Sequence, residues 1–339
     1  MTEARFVGKG PIARDPAAPM VDPLKDPAGY VAGDDLVRAV NVALALRMPL
    51  LVTGDPGTGK TQLAYRMAAE LGLGPVLRFD TKSSSQATDL FYQFDSVRQF
   101  TQSQLNAAQQ RELPAAREFI RWQALGLAIL RAMAADAPEL ARLGNAGPAT
   151  TKASRSLVLI DEIDKAPRDF PNDLLNQIEN REFHVPELGA HFVAPEENAP
   201  IVLITSNSEK QLPEAFLRRC VYHHIEFPKD ETALQAILGE RLKRLRLDGR
   251  AMKEAVLMFF AIRDDKGFSR SPSTSELLDW LRALAAEKLD VDRPLSEQPG
   301  ALQAAAGALF KTREDIERAR ALRSPAPQSR ATAASVDTR

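Results

Sequence analysis

The chain has 339 residues, of which 45 are acidic and 44 are basic, and its formal net charge is −1. Such a balance gives no electrostatic argument for a dedicated nucleic-acid or membrane-surface protein, and we expect neither kind of partner. Its 44% of hydrophobic residues can form a sizeable core, and the length suits two domains better than one. Cys220 is the single cysteine of the sequence, which excludes an intramolecular disulfide.

The two ends of the sequence lack hydrophobic periodicity. Residues 1–29 mix Pro, Gly, Asp and Ala, and residues 324–339 are small, polar and proline-containing. We expect both segments to be flexible. The sequence shows neither a basic-then-apolar leader nor an apolar run long enough for a bilayer. The expected location is therefore the cytoplasm, without membrane insertion.

Residues 30–228 alternate helix and strand patterns. Apolar residues recur at helical spacing from Asp34, and "PLLVTG" is then typical of a short buried strand ended by glycine. The strand pattern returns, with helical patterns between most of its occurrences, in "VLRFD" (76–80), "SLVLID" (156–161), "IVLITS" (201–206) and "VYHHIEF" (221–227). This alternation predicts an α/β domain whose parallel sheet is covered by helices on both faces.

After Phe227 the strand pattern ends and helical patterns continue to about residue 323. Leucines at helical spacing open this part, at Leu234, Leu238, Leu242 and Leu245. Ser273 and Glu276 form a capping box ahead of "LLDWLRALAAEKL", which predicts a helix start. We expect a small all-helical domain over 229–323, with the boundary near Pro228.

A phosphate-binding loop is predicted in "GDPGTGKT", which follows a strand and opens a helix as that pattern requires. Its glycines permit backbone N–H groups to point at phosphate oxygens, and the helix N-terminus adds a positive dipole end. Lys60 would reach the β- and γ-phosphates of ATP, and the Thr61 hydroxyl would ligate Mg²⁺. The predicted nucleotide-binding residues are Gly54, Asp55, Pro56, Gly57, Thr58, Gly59, Lys60 and Thr61.

Polar residues end two further strands. Asp161 and Glu162 lie at the carboxyl end of "LVLID", the edge where ligands bind in open α/β sheets. Asp161 would hold Mg²⁺ through water, and Glu162 would activate the attacking water as general base. Asn207 follows "ITS" in the same way and would orient the water or contact the γ-phosphate. The alternatives are helix caps for the acids and a turn residue for Asn207.

These segments occur in the order found in the AAA+ ATPases, a class of P-loop NTPases. More narrowly, "IDEIDKAPRDFPNDLLNQIENREF", "LPEAFLRRC" and "SPSTSELLDWLRAL" resemble the MoxR family, especially its CoxD-like members, and the resemblance covers roughly residues 30–290. It implies a five-stranded core in the order 5-1-4-3-2 and a helical lid. It also implies a homo-oligomeric ring, with a hexamer favoured, that remodels protein clients, often with a von Willebrand factor A-domain partner.

The resemblance also assigns arginines. Arg218 and Arg219 follow a short "PEAFL" helix, at the corner that faces the neighbouring subunit's nucleotide in the resembling proteins. We favour Arg219 as the finger acting in trans and Arg218 as its helper, with the reverse and a solvated surface pair as alternatives. The lid arginine common in the family is missing at "SPSTS". Arg270, just upstream, is either its substitute or a surface residue.

The long stretch between Lys60 and Asp161 predicts a largely helical insertion around 96–150. Phe91 and Tyr92 precede it, either as ordinary core aromatics, which we favour, or as pore residues gripping a client. Residues 181–195 are typical of a β-hairpin that the MoxR family shares. The basic stretch 240–250 is typical of a solvated helix face, and Cys220 of a small buried hydrophobe.

Four histidines carry no metal-site pattern. They lack suitably spaced partners, and the sequence has them at His184, His191, His223 and His224.

The leading hypothesis from the motifs and the resemblance is a ring-forming ATP hydrolase that remodels protein or metalloenzyme complexes. The alternatives are the same hydrolysis applied to DNA, as a loader or motor, and an assembly scaffold that binds ATP with little turnover.

Overall fold

The computed structural model describes residues 5–8, 27–109, 114–148, 152–208, 212–228, 234, 237–239, 250–287, 290 and 292–321. The chain divides into two compact units, Met1–Phe227 and Pro228–Arg339. Several predicted features lie outside the described residues: Leu242, Leu245, the basic stretch 240–249, the tail 324–339 and most of 1–29.

The first unit contains nine described strands and seven described α-helices. The strands are β1 Leu50–Thr53, β2 Leu77–Asp80, β3 Tyr92–Phe94, β4 Ile120–Trp122, β5 Leu157–Asp161, β6 Glu182–Val185, β7 Ala190–Val193, β8 Ile201–Ser206 and β9 Val221–His224. The helices are α1 Asp34–Leu46, α2 Lys60–Leu71, α3 Ser96–Ala108, α4 Ala124–Ala132, α5 Pro138–Ala141, α6 Phe170–Asn180 and α7 Glu214–Leu217.

Five strands form one parallel sheet in the order β2-β5-β8-β1-β9. Counted among themselves in chain order, these strands have the order that the resemblance implied, so that prediction is confirmed. Every residue of β1, β5 and β8 is buried. Their runs are apolar without alternation because both faces of the sheet are covered.

The two faces of the sheet carry separate cores. Leu51 and Ile160 pack on one face with the apolar side chains of α4 and α6, while Leu50 and Leu159 pack on the other with those of α1 and α2. Successive side chains of a strand point to opposite faces of the sheet, so each of these strands contributes side chains to both cores. The prediction of helices on both faces is confirmed.

The predicted insertion contains α3, α4, α5 and β4, and β4 forms with the preceding β3 a small sheet that the sequence did not predict. β3 and β4 pair antiparallel, and α3 runs between them. Strands of three residues are too short for a periodic signal. α4 belongs to the core instead of projecting from it, because its apolar residues pack against β2 and β5. Helix α4 therefore forms part of the crossover between those two strands.

Helix α3 carries its apolar side chains on the outside. Val97, Phe100 and Leu105 are exposed, Phe100 to 68%. The half-buried side chains of this helix are instead polar, at Gln99, Gln102, Ser103 and Asn106. An amphipathic surface helix normally turns its apolar face to the core, so this orientation leaves an apolar stripe facing solvent.

Several local predictions are confirmed. Phe91 is 2% exposed and stacks on Phe183 with ring centroids 5.2 Å apart, which makes it a core aromatic. Tyr92 is half-buried, and its hydroxyl donates to Glu187 at 2.9 Å. β6 and β7 form the predicted hairpin, and the thiol of Cys220 is buried.

The expectation of a flexible N-terminal segment is wrong for the residues at 5–8. Phe6 is completely buried against α1 and α2. Its N–H donates to Asn41 Oδ1 at 3.1 Å, and Asn41 Nδ2 donates back to its carbonyl at 2.8 Å. A single aromatic residue without neighbours at regular spacing gives no periodic signal, which is why the sequence did not reveal this anchor.

The second unit is helical where it is described. Its helices are α8 Arg250–Asp264, α9 Thr274–Ala286, α10 Pro299–Leu309 and α11 Arg313–Ala321. The predicted capping box is confirmed, since Ser273 Oγ accepts from Glu276 N and Ser273 N donates to Glu276 Oε2 at 2.8 Å. Trp280 and Leu281 are buried on α9, and Leu234 and Leu238 are buried as well. Within the described ranges, no helix combines the length and apolar character needed to cross a bilayer.

Candidate functional site

The loop between β1 and α2 is shaped by glycines. Gly54 has φ 146°, and a Cβ at that position would lie 2.5 Å from the carbonyl oxygen of Ile225, so no larger residue fits. Gly59 has φ 92° and immediately precedes Lys60, the first residue of α2. Thr58 N and Thr58 Oγ1 both donate to Asp55 O, at 3.3 and 2.9 Å. The loop is thus folded at the start of a helix, where unpaired N–H groups favour an anion.

The Lys60 side chain turns back over this loop. Nζ donates to Gly54 O at 2.6 Å, to Asp55 O at 3.0 Å and to Asn207 Oδ1 at 3.0 Å. Burial lowers the pKa of Lys60, and the negative charges of Asp164 and Asp161 oppose that effect. The ammonium is therefore desolvated yet positioned by three acceptors, a state in which an anionic ligand would be strongly attracted.

Asp161 is the most heavily bonded carboxylate of the site. Thr61 Oγ1 lies 3.1 Å from Oδ1 and 3.2 Å from Oδ2, and Thr205 Oγ1 donates to Oδ1 at 2.6 Å. Arg78 Nη2, on the neighbouring strand β2, lies 3.0 Å from Oδ2. The hydroxyl of Thr61 and this carboxylate are hard oxygen donors of the kind that Mg²⁺ takes, so the residues present fit that ion.

Glu162 occupies an unusual backbone conformation. Its φ is 57° and its ψ is 53°, a left-handed geometry that costs a non-glycine residue about 1–2 kcal/mol. Its N–H donates to Thr205 Oγ1 at 2.9 Å, which fixes the turn. The carboxylate is half-exposed and paired with Lys165. Strain held in place by hydrogen bonds at a sheet edge is typical of functional positions.

Asn207 follows β8 and is held from two sides. Its Oδ1 accepts from Lys60, while its N–H donates to Asp164 Oδ1 at 3.1 Å and its Nδ2 to Asp164 Oδ2 at 3.4 Å. Because β5, β8 and β1 are neighbours in the sheet, their carboxyl ends bring Asp161, Asn207 and the loop together. The structure thus places Gly54 to Thr61, Asp161, Glu162 and Asn207 at one edge.

Arg218 and Arg219 lie at the opposite edge of the same sheet. Val221 N, just after them, donates to Pro49 O at 2.9 Å, and Val221 is in register with Leu50 at the start of β1. The four residues of β1, about 13 Å, separate that edge from the phosphate loop. Arg218 is 75% exposed and paired with Glu214, and Arg219 is 46% exposed with Nε 3.2 Å from Glu179 Oε2.

Arg270 belongs to the second unit. It is exposed and paired there with Glu276, the residue that completes the capping box. Its predicted contact with phosphates stays a prediction.

A family model for the AAA domain, dynein-related subfamily, matches residues 49–220. The chain belongs to this family. The match begins just before β1 and ends at Cys220, so it includes the phosphate loop, Asp161, Asn207 and both adjacent arginines. Membership supports ATP binding by this AAA domain, and the family suggests nucleotide hydrolysis in general. No curated protein matches the chain.

Three residues of this AAA domain's site were missed by sequence reasoning. Thr205 connects Asp161 with the N–H of Glu162, Asp164 holds Asn207, and Arg78 contacts Asp161 from β2. Asp164 could have been found as the last acid of "IDEID", and Thr205 as the hydroxyl two residues before Asn207. Arg78 carried no signal, since an arginine in an alternating strand is ordinary. Among the described residues, no group of three or more His, Cys, Asp or Glu is placed to hold a metal ion.

Proposed function

We propose that this AAA domain binds and hydrolyses ATP at the edge formed by β5, β8 and β1. The observation that carries the proposal is the direct contact of Lys60 with Asn207 and of Thr61 with Asp161, which joins three sequence motifs in one site. Lys60 and the loop N–H groups bind the phosphates, and Glu162 accepts a proton from the attacking water. Thr61 and Asp161 hold Mg²⁺, which neutralises phosphate charge when bound.

We propose further that the site is completed by a second copy of the chain. Arg218 and Arg219 lie one strand length away from the phosphate loop of their own subunit, beyond the reach of a side chain, yet are exposed enough to meet a neighbour. An arginine supplied in trans would stabilise the charge that develops in the transition state. This effect would raise the rate of hydrolysis by a factor of about 10³ or more. A head-to-tail arrangement of this kind forms a ring when its rotation closes, and we propose a closed ring with a hexamer as the favoured number.

The client that we propose is a protein, as in the MoxR family that the sequence resembles. The apolar stripe of α3 favours a protein over DNA, because its exposed side chains are Val97, Phe100 and Leu105. The single basic residue of this helix, Arg98, lies over the ring of Phe119 with its Cζ 5.7 Å from the centroid. Because the one basic side chain of this surface already contacts an aromatic ring, the surface is better suited to binding an apolar peptide than a phosphate backbone. A von Willebrand factor A-domain partner and a metalloenzyme client remain proposals from the resemblance.

An ATP turnover assay tests the proposed hydrolysis. We expect wild-type protein to hydrolyse ATP, Lys60→Ala to lose nucleotide binding, and Glu162→Gln to bind ATP without turnover. Glu118→Gln, the same exchange at an exposed surface residue, is the control and should retain wild-type activity. If the wild-type protein binds ATP tightly but does not hydrolyse it, that result would favour the scaffold hypothesis.

A pull-down with Glu162→Gln in ATP tests the client. Recovery of a protein that is lost when Val97, Phe100 and Leu105 are replaced by serine would support the proposal. Recovery of DNA together with DNA-stimulated turnover would favour the loader or motor hypothesis.

A further inference from the structure

Arg78 joins two carboxylates at the end of the sheet. Its Nη2 lies 2.6 Å from Asp80 Oδ1 and 3.0 Å from Asp161 Oδ2, and its Nε donates to Asp80 Oδ1 at 2.7 Å. Asp80 and Asp161 are directly paired in the register of β2 and β5. One guanidinium is thus shared between the acid of the proposed metal site and an acid outside it.

We propose that Arg78 is a positioning residue that serves as the counter-cation of Asp161 when no metal is bound and shifts to Asp80 when a divalent cation binds. The inference rests on the proposed function, because it takes Asp161 as the carboxylate that holds Mg²⁺. Its consequence is that the pair Arg78 and Asp80 sets the concentration of Mg²⁺ that the site requires.

The hydrogen bonds of Asp161 support this role. Thr205 donates to Oδ1, the single hydroxyl proton of Thr61 is shared between Oδ1 and Oδ2, and Arg78 contacts Oδ2. A carboxylate offers about four acceptor positions, two on each oxygen, and the Arg78 guanidinium takes one of the two on Oδ2. A water carried by a metal ion therefore competes with Arg78 for the same oxygen.

The charges point the same way. The Asp161 side chain is nearly fully buried, and a buried carboxylate without a cation is costly. Arg78 supplies that cation, but a divalent ion nearby would repel the guanidinium. Asp80 already holds Arg78 through two nitrogens and is exposed, so the guanidinium can leave Asp161 without losing its partner.

The position of Arg78 leaves room for this movement. β2 is the edge strand of the sheet, and the Arg78 side chain is 41% exposed. An arginine serving only as a structural clamp between strands would stabilise both states of the site equally. The proposed role instead predicts that the two partners of the ion pair affect metal binding in opposite directions.

The test measures binding of Mn²⁺, as a paramagnetic probe for the Mg²⁺ site, by electron paramagnetic resonance in the presence of ADP. Arg78→Gln removes the competing cation, and we expect the half-saturating Mn²⁺ concentration to fall about tenfold. Asp80→Asn removes the alternative partner and should raise that concentration several-fold. Arg121→Gln, at an exposed position of β4, is the matched control and should leave it unchanged.

Shifts of Arg78→Gln and Asp80→Asn in the same direction, or no shift in either, would overturn the inference. Should Arg78→Gln fail to fold, the rise expected for Asp80→Asn decides the matter alone. ADP binding without metal is measured alongside. If the wild-type protein binds ADP but the variants have its half-saturating Mn²⁺ concentration, only this inference is wrong. If the wild-type protein binds no ADP, the proposed function and this inference are both wrong.

Discussion

Lys60 Nζ lies 3.0 Å from Asn207 Oδ1, although the two residues are 147 positions apart in the chain. Asp164 holds the other side of Asn207 through its N–H and Nδ2. Asn207 is therefore fixed between a cation and an anion, with its amide oriented by both. Its oxygen faces Lys60, and its nitrogen faces the acid.

Replacing Asn207 by alanine should separate binding from turnover. In the proposed site most phosphate contacts would come from the loop and Lys60, so we expect ATP affinity to change only a few-fold. Turnover should fall by roughly 10²-fold, since the group that we expect to orient the water or contact the γ-phosphate is lost. Equilibrium binding of a fluorescent ATP analogue and a turnover assay check the two effects. Asn198→Ala, ahead of β8, is the control, and equal losses in binding and turnover would contradict the expected role.

Thr205→Val tests the hydroxyl that connects two site residues. Valine keeps the shape, but Asp161 loses a donor and the N–H of Glu162 loses its acceptor. Leaving a buried group unpaired lowers the free energy of unfolding by about 1–3 kcal/mol. Urea denaturation measures this loss, and turnover should fall with it because the left-handed turn at Glu162 is no longer fixed. Thr101→Val on exposed α3 should change neither quantity.

As pH rises, nucleotide binding should begin to weaken at a lower pH than it would with a lysine of ordinary pKa. Burial lowers the pKa of Lys60 from its usual 10.5 in the free protein, whereas bound phosphate favours the charged form and raises it. Affinity is therefore complete below the lowered pKa and falls as pH rises above it, by up to about tenfold per pH unit. ATP binding measured from pH 7 to pH 10 checks this, provided the protein stays folded.

Lys60→Arg provides the comparison for that pH series. A guanidinium stays charged throughout the range, so any affinity that this variant retains should not depend on pH. A decline of equal slope in wild type and variant would assign the effect to another group.

Mixing two inactive variants tests the shared site. In the proposed shared site, Lys60→Ala would not bind nucleotide and Arg219→Ala would not complete the site of its neighbour, so we expect neither variant to turn over ATP alone. In random mixed rings, about a quarter of the interfaces would combine an intact Lys60 with an intact Arg219 from the next subunit. Turnover of the mixture should recover accordingly. The double variant mixed with Lys60→Ala should recover nothing, and a silent mixture of well-assembled single variants would argue against sharing.

Cys220 should report unfolding of the first unit. Burial raises the pKa of its thiol to about 12, against an ordinary value of 9.0, which lowers the thiolate fraction at neutral pH by about 10³. We expect a maleimide reagent to label native protein very slowly and urea-unfolded protein at the rate of a free thiol. Because the chain has one cysteine, the labelled mass is unambiguous. Fast labelling of native protein would contradict the burial.

The sequence predicted those features that depend on local patterns. The apolar runs before Gly54, Asp161 and Asn207 identified the central strands, and the glycine spacing identified the phosphate loop. Their meeting at one edge followed from parallel strands, whose carboxyl ends lie together. Strand runs and glycine spacing are local patterns, so each could be recognised within its own segment of the sequence.

The features that were missed depend on contacts between distant segments. Thr205 matters because it meets Asp161 and Glu162 across two strands, and Arg78 because β2 places it beside Asp161. The outward apolar face of α3 was equally hidden, since periodicity shows that a helix has two faces but not which one meets the core.

The anchor at Phe6 has a mechanical consequence. Gly8 N donates to Glu70 Oε1 at 3.0 Å near the end of α2, and Phe6 is fastened to α1 through Asn41. Force applied to the residues ahead of Phe6, by a fusion partner or a tether, would load the helix whose opposite end begins at the phosphate loop. Tags for assays of this protein are therefore better kept away from the residues ahead of Phe6.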